Sequence, residues 1–427
     1  MDIQYLHQLF LNCSSISTDT RKIEQGSMFI ALKGENFDAN TFANEALEKG
    51  ASYVVIDNQD FAVDERMILV ADSLVALQQL AQFHRDYLAI PIIGLTGSNG
   101  KTTTKELLHA VLSKKYRTSA TKGNLNNHIG VPLTILSFTS DTEIGIVEMG
   151  ANHRLEIAAL SEISRPDYGY ITNFGKAHLE GFGGPEGVIK GKSELYDYLG
   201  RNSRTVFVNL DDKLQAERTT NHKRYTFSNS GLAADVHIDS INANPFVHVR
   251  FDGETINSKL IGLYNGGNVS AAIAVGQYFG VSTLEIKQAI EAYVPENNRS
   301  QLVHKNGNEI ILDAYNANPS SMAVAIENFL QIDNDNKMMI LGDMFELGSA
   351  SHDEHFAVLT LLEHEYSAVC HFVGKEFHEV RIPKDNFHFY LTFEELAEQL
   401  QHSHSENKLI LIKGSRGMAL ERALDYL

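Results

Sequence analysis

A glycine-rich segment followed by a lysine and threonines is the part of this sequence whose residue types imply chemistry most directly. Residues 90–104 read IPIIGLTGSNGKTTT, an apolar stretch typical of a buried strand followed by a segment that begins a helix. Glycines let backbone N–H groups approach an anion, and the N-terminus of a helix adds partial positive charge. Lys101 is expected to reach the outer phosphates of a nucleotide, and Thr102 to hold Mg²⁺ through its hydroxyl.

We therefore favour a nucleoside triphosphate site over an ordinary glycine turn, although the general G-x-x-x-x-G-K-[ST] pattern is incomplete. Its first glycine is replaced by Leu95, and glycines stand at positions 94 and 97 instead. The residues expected to contact the nucleotide in this loop are Thr96, Gly97, Ser98, Asn99, Gly100, Lys101, Thr102 and Thr103.

Three further charged or titratable residues follow predicted strands or lie on a nearby helix. Glu148 ends the apolar stretch TEIGIVE, His178 follows the stretch PDYGYITNF, and Lys192 lies in the predicted helix GVIKGKSELYDYL. A carboxylate at the end of a strand can bind Mg²⁺, but Glu148 could equally cap a helix. His178 could be a plain loop histidine, and Lys192 a solvated helix lysine. The neighbouring triphosphate loop favours Glu148 as a metal ligand.

Other polar loops have two interpretations each. Asn126 and Asn127 lie in TKGNLNNHIGVPLTI, which could orient phosphates or a second substrate, or could be a plain Asn/Gly turn. Arg21, directly after Thr20, could bind a phosphate or carboxylate with its planar guanidinium, but a surface salt bridge is its more common role. In the last third of the chain, polar residues follow strands, a placement that suits a ligand-binding face: Asp313, Tyr315, Asn316, Asp343, Lys413, Ser415 and Arg416.

The elements that must position these residues alternate between strand and helix through most of the chain. At 427 residues, we expect three domains, with boundaries at 1–88, 89–298 and 299–427. The predicted class is α/β: a central doubly wound parallel sheet of P-loop type, a small N-terminal α/β domain and a Rossmann-like C-terminal domain. We also predict a β-ribbon insertion near residues 236–260 and a terminal helix in SRGMALERALDYL.

Composition excludes several classes of function. The net charge of −18 argues against nucleic acid or an anionic membrane surface as a partner. The two cysteines form no disulfide framework or cysteine-rich metal site. We find neither a signal-peptide pattern nor an apolar run long enough to insert into a membrane, so a cytoplasmic protein is expected.

Taken in order, these motifs resemble the Mur ligase family over the whole chain. The glycine-rich loop alone is shared by many ligases, whereas DAYNANPSSM and LGDMFELG resemble the members that add a dipeptide. Two departures from the family pattern are visible, at Arg154 and Leu155 after VEMGANH, and at Ser193 in GKSELY. The stretches that carry the resemblance are STDTRKIEQGSMFIALKGENFDAN, GLTGSNGKTTT, TKGNLNNHIGVP, VEMGANH, AHLEGFG, GKSELY, YNGGNVSAA, NNRSQ, LDAYNANPSSM, LGDMFELG and KGSRGMALE.

The resemblance implies an ATP- and Mg²⁺-dependent ligase that joins D-alanyl-D-alanine to UDP-N-acetylmuramoyl-tripeptide through an acyl phosphate. It implies that Lys101 acts on phosphate, that Thr102 and Glu148 bind one Mg²⁺, and that His178 and a carbamylated Lys192 bind a second. Lys101, His178 and Lys192 are accordingly the expected catalytic residues. The N-terminal domain would bind the UDP substrate, the central domain ATP, and the C-terminal domain the dipeptide; we expect a monomer.

The resemblance also assigns roles to residues that the motifs alone leave open. Asn268, Arg299 and Asp313 are expected to contact the nucleotide. The expected substrate contacts are Thr20, Arg21, Asn126, Asn127, Tyr315, Asn316 and Lys413. The rival hypotheses are another ligase of the superfamily, such as a folylpolyglutamate synthase or a cyanophycin-type enzyme, and a nucleotide-gated binding protein without catalysis. A switch GTPase is disfavoured because no N-K-x-D-type stretch is found.

Overall fold

The computed structural model describes residues 2–296, 298–365, 368–402 and 406–427. Its first unit is a small parallel sheet with strand order β1-β2-β5-β6, accompanied by the short hairpin β3-β4. Asp72 caps the long helix α3, because its carboxylate accepts from the N–H of Val75. The elements of this unit are α1 (Ile3–Leu11), β1 (Ile16–Ser17), β2 (Met28–Ile30), β3 (Lys33–Gly34), β4 (Phe37–Asp38), α2 (Ala43–Glu48), β5 (Tyr53–Ile56), β6 (Met67–Leu69) and α3 (Ser73–Leu88).

The central unit is built on a seven-stranded parallel sheet of order β13-β12-β11-β10-β7-β9-β8. Its strands are β7 (Ile92–Thr96), β8 (Thr118–Ala120), β9 (Ile144–Glu148), β10 (Tyr168–Ile171), β11 (Thr205–Asn209), β12 (Lys223–Ser228) and β13 (Val236–His237). Its helices are α4 (Lys101–Leu112), α5 (Gly130–Leu136), α6 (Glu156–Ser164), α7 (Leu179–Phe182), α8 (Pro185–Arg201), α9 (Lys213–Arg218), α10 (Asn265–Tyr278) and α11 (Thr283–Ala292). The predicted β-ribbon is confirmed as the three-stranded antiparallel sheet β14 (Ser240–Ala243), β15 (Phe246–Phe251) and β16 (Glu254–Ile261).

Helices cover both faces of the central sheet. Successive side chains of a strand point to opposite faces, and here both faces carry apolar side chains that the helices bury. Ile93 and Leu95 of β7 pack with α4, α10 and α11, whereas Ile92 packs in the cluster that contains α5, α6 and α8. Strands that are buried on both faces explain the continuous apolar stretches in the sequence. The arrangement leaves the carboxyl ends of β7, β9 and β10 at one edge, where ligands bind in doubly wound sheets.

The third unit is a six-stranded sheet of order β17-β18-β22-β19-β20-β21, in which only the pairing of β17 with β18 is antiparallel. The predicted terminal helix is wrong in kind: it is two 3₁₀ helices, Arg416–Met418 and Leu420–Tyr426, separated by Ala419 at φ +47°. The elements are β17 (Gln301–Lys305), β18 (Asn308–Asp313), α12 (Pro319–Gln331), β19 (Lys337–Gly342), α13 (Ser351–Leu361), β20 (Ala368–Val373), α14 (Lys375–Glu379), β21 (Phe387–Tyr390), α15 (Phe393–His402) and β22 (Leu409–Lys413). None of the helices among the described residues has the length and apolarity needed to cross a membrane.

Candidate active site

A cleft of about 1270 Å³ lies between the central and C-terminal units. The glycine-rich loop and the ends of central strands form one wall, and the loops after C-terminal strands form the other. Most of the residues singled out from the sequence meet here. The predicted residues that line the cleft are Ser98, Asn99, Gly100, Lys101, Thr102, Thr103, Asn126, Asn127, Glu148, His178, Asn268, Arg299, Asp313, Tyr315, Asn316 and Lys413.

The glycine-rich loop turns sharply from β7 into α4, and two of its glycines are required by the geometry. Gly97 and Gly100 have φ values of +142° and +78°. A Cβ at Gly97 would lie 2.0 Å from the Thr172 hydroxyl, and one at Gly100 would lie 2.7 Å from the side chain of Asn268. The loop therefore keeps backbone N–H groups open to an anion at the start of α4.

Lys101 begins α4 and folds its side chain back over the loop. Its ammonium donates hydrogen bonds of 2.7 Å and 3.2 Å to the carbonyl oxygens of Gly97 and Ser98. Burial lowers the pKa of Lys101, and the nearby charge of Glu148 opposes that shift. The loop thus holds a cationic group at the place where phosphates would enter.

Glu148 ends β9 and meets Thr102 in the cleft. One carboxylate oxygen accepts from the Thr102 hydroxyl at 3.3 Å and from the Asn126 amide at 2.9 Å. The other oxygen, Oε2, is buried without a hydrogen-bond partner, although the ammonium of Lys105 lies 3.8 Å away. A buried carboxylate oxygen without a hydrogen-bond partner beside a threonine hydroxyl fits Mg²⁺, which prefers oxygen ligands.

Thr102 and Glu148 supply only some of the ligands that a Mg²⁺ ion needs. Within the ranges that the structure describes, no group of three or more His, Cys, Asp and Glu side chains has the spacing of a metal site. The remaining positions around a cation at Glu148 would therefore belong to water and phosphate oxygens, as is usual for Mg²⁺.

The two predicted site asparagines after β8, Asn126 and Asn127, have different roles. Asn126 donates to Glu148 and orients that carboxylate. The side-chain oxygen of Asn127 instead accepts from the N–H groups of Ile129 and Gly130 at the start of α5. Asn127 therefore serves the local turn, while its position leaves it at the cleft surface.

Lys192 is almost completely buried on α8, so the alternative of a solvated helix lysine is wrong. Its ammonium donates to the carbonyl of Ala151 at 3.0 Å and lies 5.0 Å from the ring centroid of Phe182. Burial and the charge of Lys101 hold the pKa of Lys192 well below its ordinary range. A neutral amine is what reaction with CO₂ requires, so the environment suits a carbamate.

His178 stands immediately before α7, and its Nδ1 pairs with the carboxylate of Glu346 from the C-terminal unit. Sequence reasoning missed Glu346, although it lies in the quoted stretch LGDMFELG. Two further links join the units beside this pair: Lys176 with Glu354 at 2.5 Å, and the Asn318 amide with the Asn99 side-chain oxygen at 2.7 Å. No periodic pattern in the sequence signals such contacts, because their partners are far apart in the chain.

The other residues expected to contact the nucleotide, Asn268, Arg299 and Asp313, also have defined partners. Asn268 accepts from the Thr104 hydroxyl at 3.0 Å. The guanidinium of Arg299 lies 3.4 Å from the ring centroid of Tyr315, a cation–π contact. The buried ammonium of Lys413 donates to Asp313 at 2.5 Å and to the backbone carbonyl of Asn316 at 3.4 Å.

Five predicted residues lie apart from the cleft surface: the buried Lys192 described above, and Thr20, Arg21, Thr96 and Gly97. Thr20 and Arg21 belong to the N-terminal unit, where the highly exposed Arg21 forms a bidentate pair with Asp19. That pair is the surface salt bridge considered as its alternative. Thr96 is buried in β7, and its hydroxyl donates a hydrogen bond to the carbonyl of Met149. It therefore stabilises the loop and does not line the cleft. Gly97 likewise supports the turn, because its neighbours leave no space for a side chain.

Comparison with protein families gives matches along the three units. Residues 12–85 match the Mur ligase family catalytic domain, residues 95–276 the Mur ligase middle domain, and residues 298–416 the Mur ligase glutamate ligase domain. The three matches follow the order of the three units along the chain.

Curated relatives extend the match to full length. A Bacillus subtilis protein named UDP-N-acetylmuramoyl-tripeptide–D-alanyl-D-alanine ligase is 36% identical over 95% of this chain and 91% of its own. The Escherichia coli protein of the same name is 30% identical over 97% of this chain and 93% of its own.

Solved structures confirm the three-domain α/β fold. MurF from Acinetobacter baumannii has a TM-score of 0.87 at 31% identity, covering 99% of this chain and 97% of that one. MurF ligase from Thermotoga maritima, solved in complex with ADP, has a TM-score of 0.84 at 26% identity, covering 98% and 97%. With its motifs, its fold and its full-length relatives in agreement, the chain belongs to the Mur ligase family.

Proposed function

We propose that this chain is an ATP-dependent ligase that joins D-alanyl-D-alanine to UDP-N-acetylmuramoyl-tripeptide in peptidoglycan precursor synthesis. One observation carries the proposal: the phosphate loop, the Glu148–Thr102 pair and the polar loops of the C-terminal unit line one cleft. Full-length relatives that bear this activity in their names support the choice of substrates. The ADP complex of a structural neighbour supports ATP as the nucleotide.

The proposed division of labour follows the predicted boundaries. Residues 1–88 would bind the UDP end of the substrate, residues 89–298 ATP, and residues 299–427 the dipeptide. A monomer in the cytoplasm suffices for this scheme, since one chain supplies every wall of the cleft. Thr20 and Arg21, which lie outside the cleft, remain candidates for the distant UDP end of a long substrate.

The first step is transfer of the terminal phosphoryl group of ATP. An oxygen of the tripeptide carboxylate attacks the γ-phosphorus, the bond to ADP breaks, and an acyl phosphate forms. Because both reactants are anions, Lys101 and the loop N–H groups stabilise the charge as they meet. Thr102 and Glu148 would hold one Mg²⁺, and His178 and carbamylated Lys192 a second; bound there, the ions neutralise phosphate charge.

The second step forms the amide bond. The free amine of D-alanyl-D-alanine attacks the acyl carbon, the carbon–oxygen bond to phosphate breaks, and inorganic phosphate leaves, taking up the proton that the nitrogen loses. We place the dipeptide beside Tyr315, Asn316 and Lys413, opposite the phosphate loop. With substrates filling the cleft, the contacts between the two units would keep out water, which would otherwise hydrolyse the acyl phosphate.

The experiment is a coupled ADP-release assay on the purified chain with Mg²⁺, UDP-N-acetylmuramoyl-tripeptide and a panel of amine acceptors. We expect strong stimulation by D-alanyl-D-alanine and none by glutamate or aspartate. Equal stimulation by glutamate would favour a folylpolyglutamate-type ligase. An absence of ADP with every acceptor would overturn the proposal.

A further inference from the structure

The contact between His178 and Glu346 is the place where the C-terminal unit reaches an expected catalytic residue. Nδ1 of His178 pairs with the Glu346 carboxylate, and beside it the N–H of Glu180 donates to the Glu346 carbonyl at 3.3 Å. His178 and Glu346 both have left-handed backbones, with φ values of +52° and +60°. Such conformations in non-glycine residues persist where the surrounding structure fixes them. Both sides of the contact are therefore held in place by their own loops.

The loop that carries Glu346 is fixed from three directions. Asp343 accepts from two N–H groups at the start of α14, each at 3.0 Å. The backbone N–H of Met344 donates to Nε2 of His355 at 3.0 Å. The N–H of Phe345 donates to the Ser415 hydroxyl at 2.9 Å. Glu346 thus extends from a rigid loop, although its side chain is half exposed.

An ionised carboxylate can only accept a hydrogen bond, so the pair places the proton of a neutral His178 ring on Nδ1. The other ring nitrogen, Nε2, then carries the lone pair. Within the described ranges Nε2 forms no hydrogen bond, and His178 lines the cleft. A histidine that donates one N–H to a carboxylate and keeps its second nitrogen free is the usual arrangement of a metal-binding imidazole.

We infer that Glu346 is a positioning residue: its carboxylate, reaching from the C-terminal unit, fixes the ring of His178 with Nε2 free to bind a cation. The orientation of the His178 ring thereby depends on a contact between the two units. This inference rests on the proposed Mg²⁺-dependent ligase reaction, because that reaction supplies the cation.

The chain provides a matched control. Lys176 and Glu354 form a second ion pair between the same two units, two residues away from His178 in sequence. Glu354→Ala removes an inter-unit ion pair that has no contact with the imidazole. Glu346→Ala removes the inter-unit pair that includes the imidazole. A merely structural role for Glu346 predicts the same behaviour from both variants.

The first measurement is the ¹⁵N spectrum of histidine-labelled, metal-free protein at pH about 8, above the ordinary histidine pKa of about 6.5. His178→Gln identifies the signal. We expect the Nδ1–H tautomer in the wild type and in Glu354→Ala, and a mixture of tautomers in Glu346→Ala. The same tautomer population in the wild type and Glu346→Ala would overturn the inference.

The second measurement is the affinity for Mn²⁺ in the presence of ADP, followed by electron paramagnetic resonance. We expect Glu346→Ala to weaken binding by about 10- to 100-fold, as removal of such an orienting partner typically does. Glu354→Ala should change it by less than about 5-fold, because the pair does not touch the imidazole and its Lys176 side is half exposed. Equal losses in both variants would contradict the inference. If the wild type releases no ADP with its substrates the proposed function fails, whereas the tautomer measurement still decides the role of Glu346.

Discussion

The side-chain oxygen of Asn99, in the phosphate loop, accepts a hydrogen bond of 2.7 Å from the amide of Asn318, which caps α12 in the C-terminal unit. The loop expected to hold ATP therefore contacts the C-terminal unit directly. Asn318 forms two interactions at once: its amide nitrogen donates to Asn99, and its side-chain oxygen accepts from the N–H of Ser321 in a capping box. The phosphate loop and the wall opposite it are thus connected through one amide group.

Asn318→Ala should lower both stability and turnover. Loss of the cap costs about 1 kcal/mol of unfolding free energy, and loss of the amide removes the link to Asn99. Asn318→Asp separates the two effects, since aspartate still caps α12 but cannot donate to Asn99. We expect the aspartate variant to keep the urea midpoint of the wild type and to lose ADP formation. Wild-type turnover in Asn318→Asp would show that the link does not matter.

Lys101→Ala should abolish ligation while leaving the fold intact. Removal of one preorganised charge at a site of developing negative charge typically costs about 100- to 1000-fold in rate. The check is ADP release at saturating ATP, together with the circular dichroism spectrum. Unchanged turnover in a folded Lys101→Ala protein would remove the assignment of the phosphate loop.

Lys192→Ala should also inactivate the chain, and added short carboxylates such as formate or acetate should restore part of the activity. The reason is that a small carboxylate can replace the oxygens that a carbamate would present. Lys190→Ala is the matched control, because this exposed lysine lies on the same helix. Turnover of Lys192→Ala at the wild-type rate without any additive would refute the carbamate role.

Two buried histidines, His7 and His84, are hydrogen-bonded to each other and should make the unfolding free energy depend on pH. His84 donates from Nε2 to the Phe138 carbonyl at 2.9 Å, so its Nδ1 accepts from Nε2–H of His7 at 3.0 Å. This arrangement requires the His84 ring to be neutral, because its Nδ1 accepts. Burial, aided by His84, lowers the pKa of His7 from 6.5 to about 4, and burial lowers that of His84.

Because the folded pKa lies below the unfolded value, the unfolded chain binds protons first as pH falls. The contribution of this pair to the unfolding free energy should be constant above pH about 7 and should decrease between pH about 6.5 and 4. Urea unfolding across this range provides the measurement. The double variant His7→Leu, His84→Leu should show a shallower decrease, whereas the exposed-histidine variant His304→Ala should follow the wild type. Equal slopes in all three proteins would contradict this prediction.

The parts of the site that sequence reasoning predicted are those governed by local rules. Gly100, Lys101 and Thr102 follow one another at a strand-to-helix turn, and Glu148 ends a strand beside it. Parallel strands bring such ends together whatever the rest of the fold does. The doubly wound sheet was predictable for the same reason, since buried parallel strands require continuous apolar stretches.

The parts that sequence reasoning missed depend on how separate units meet. Glu346 reaches His178 from 168 positions away, and Asn318 reaches Asn99 from 219 positions away. Neither pair belongs to a repeating pattern. The wrong prediction at the end of the chain has a local cause, because Ala419 adopts a left-handed conformation in a segment whose residues favour a helix.

The central claim is that the tripeptide carboxylate becomes phosphorylated before the amide bond forms. It is tested most directly with UDP-N-acetylmuramoyl-tripeptide that carries ¹⁸O in its terminal carboxylate, incubated with the chain, ATP, Mg²⁺ and D-alanyl-D-alanine. The attacking carboxylate oxygen leaves with phosphate, so one ¹⁸O atom per released phosphate is expected in the ³¹P spectrum. Amide formation with unlabelled phosphate would contradict the account.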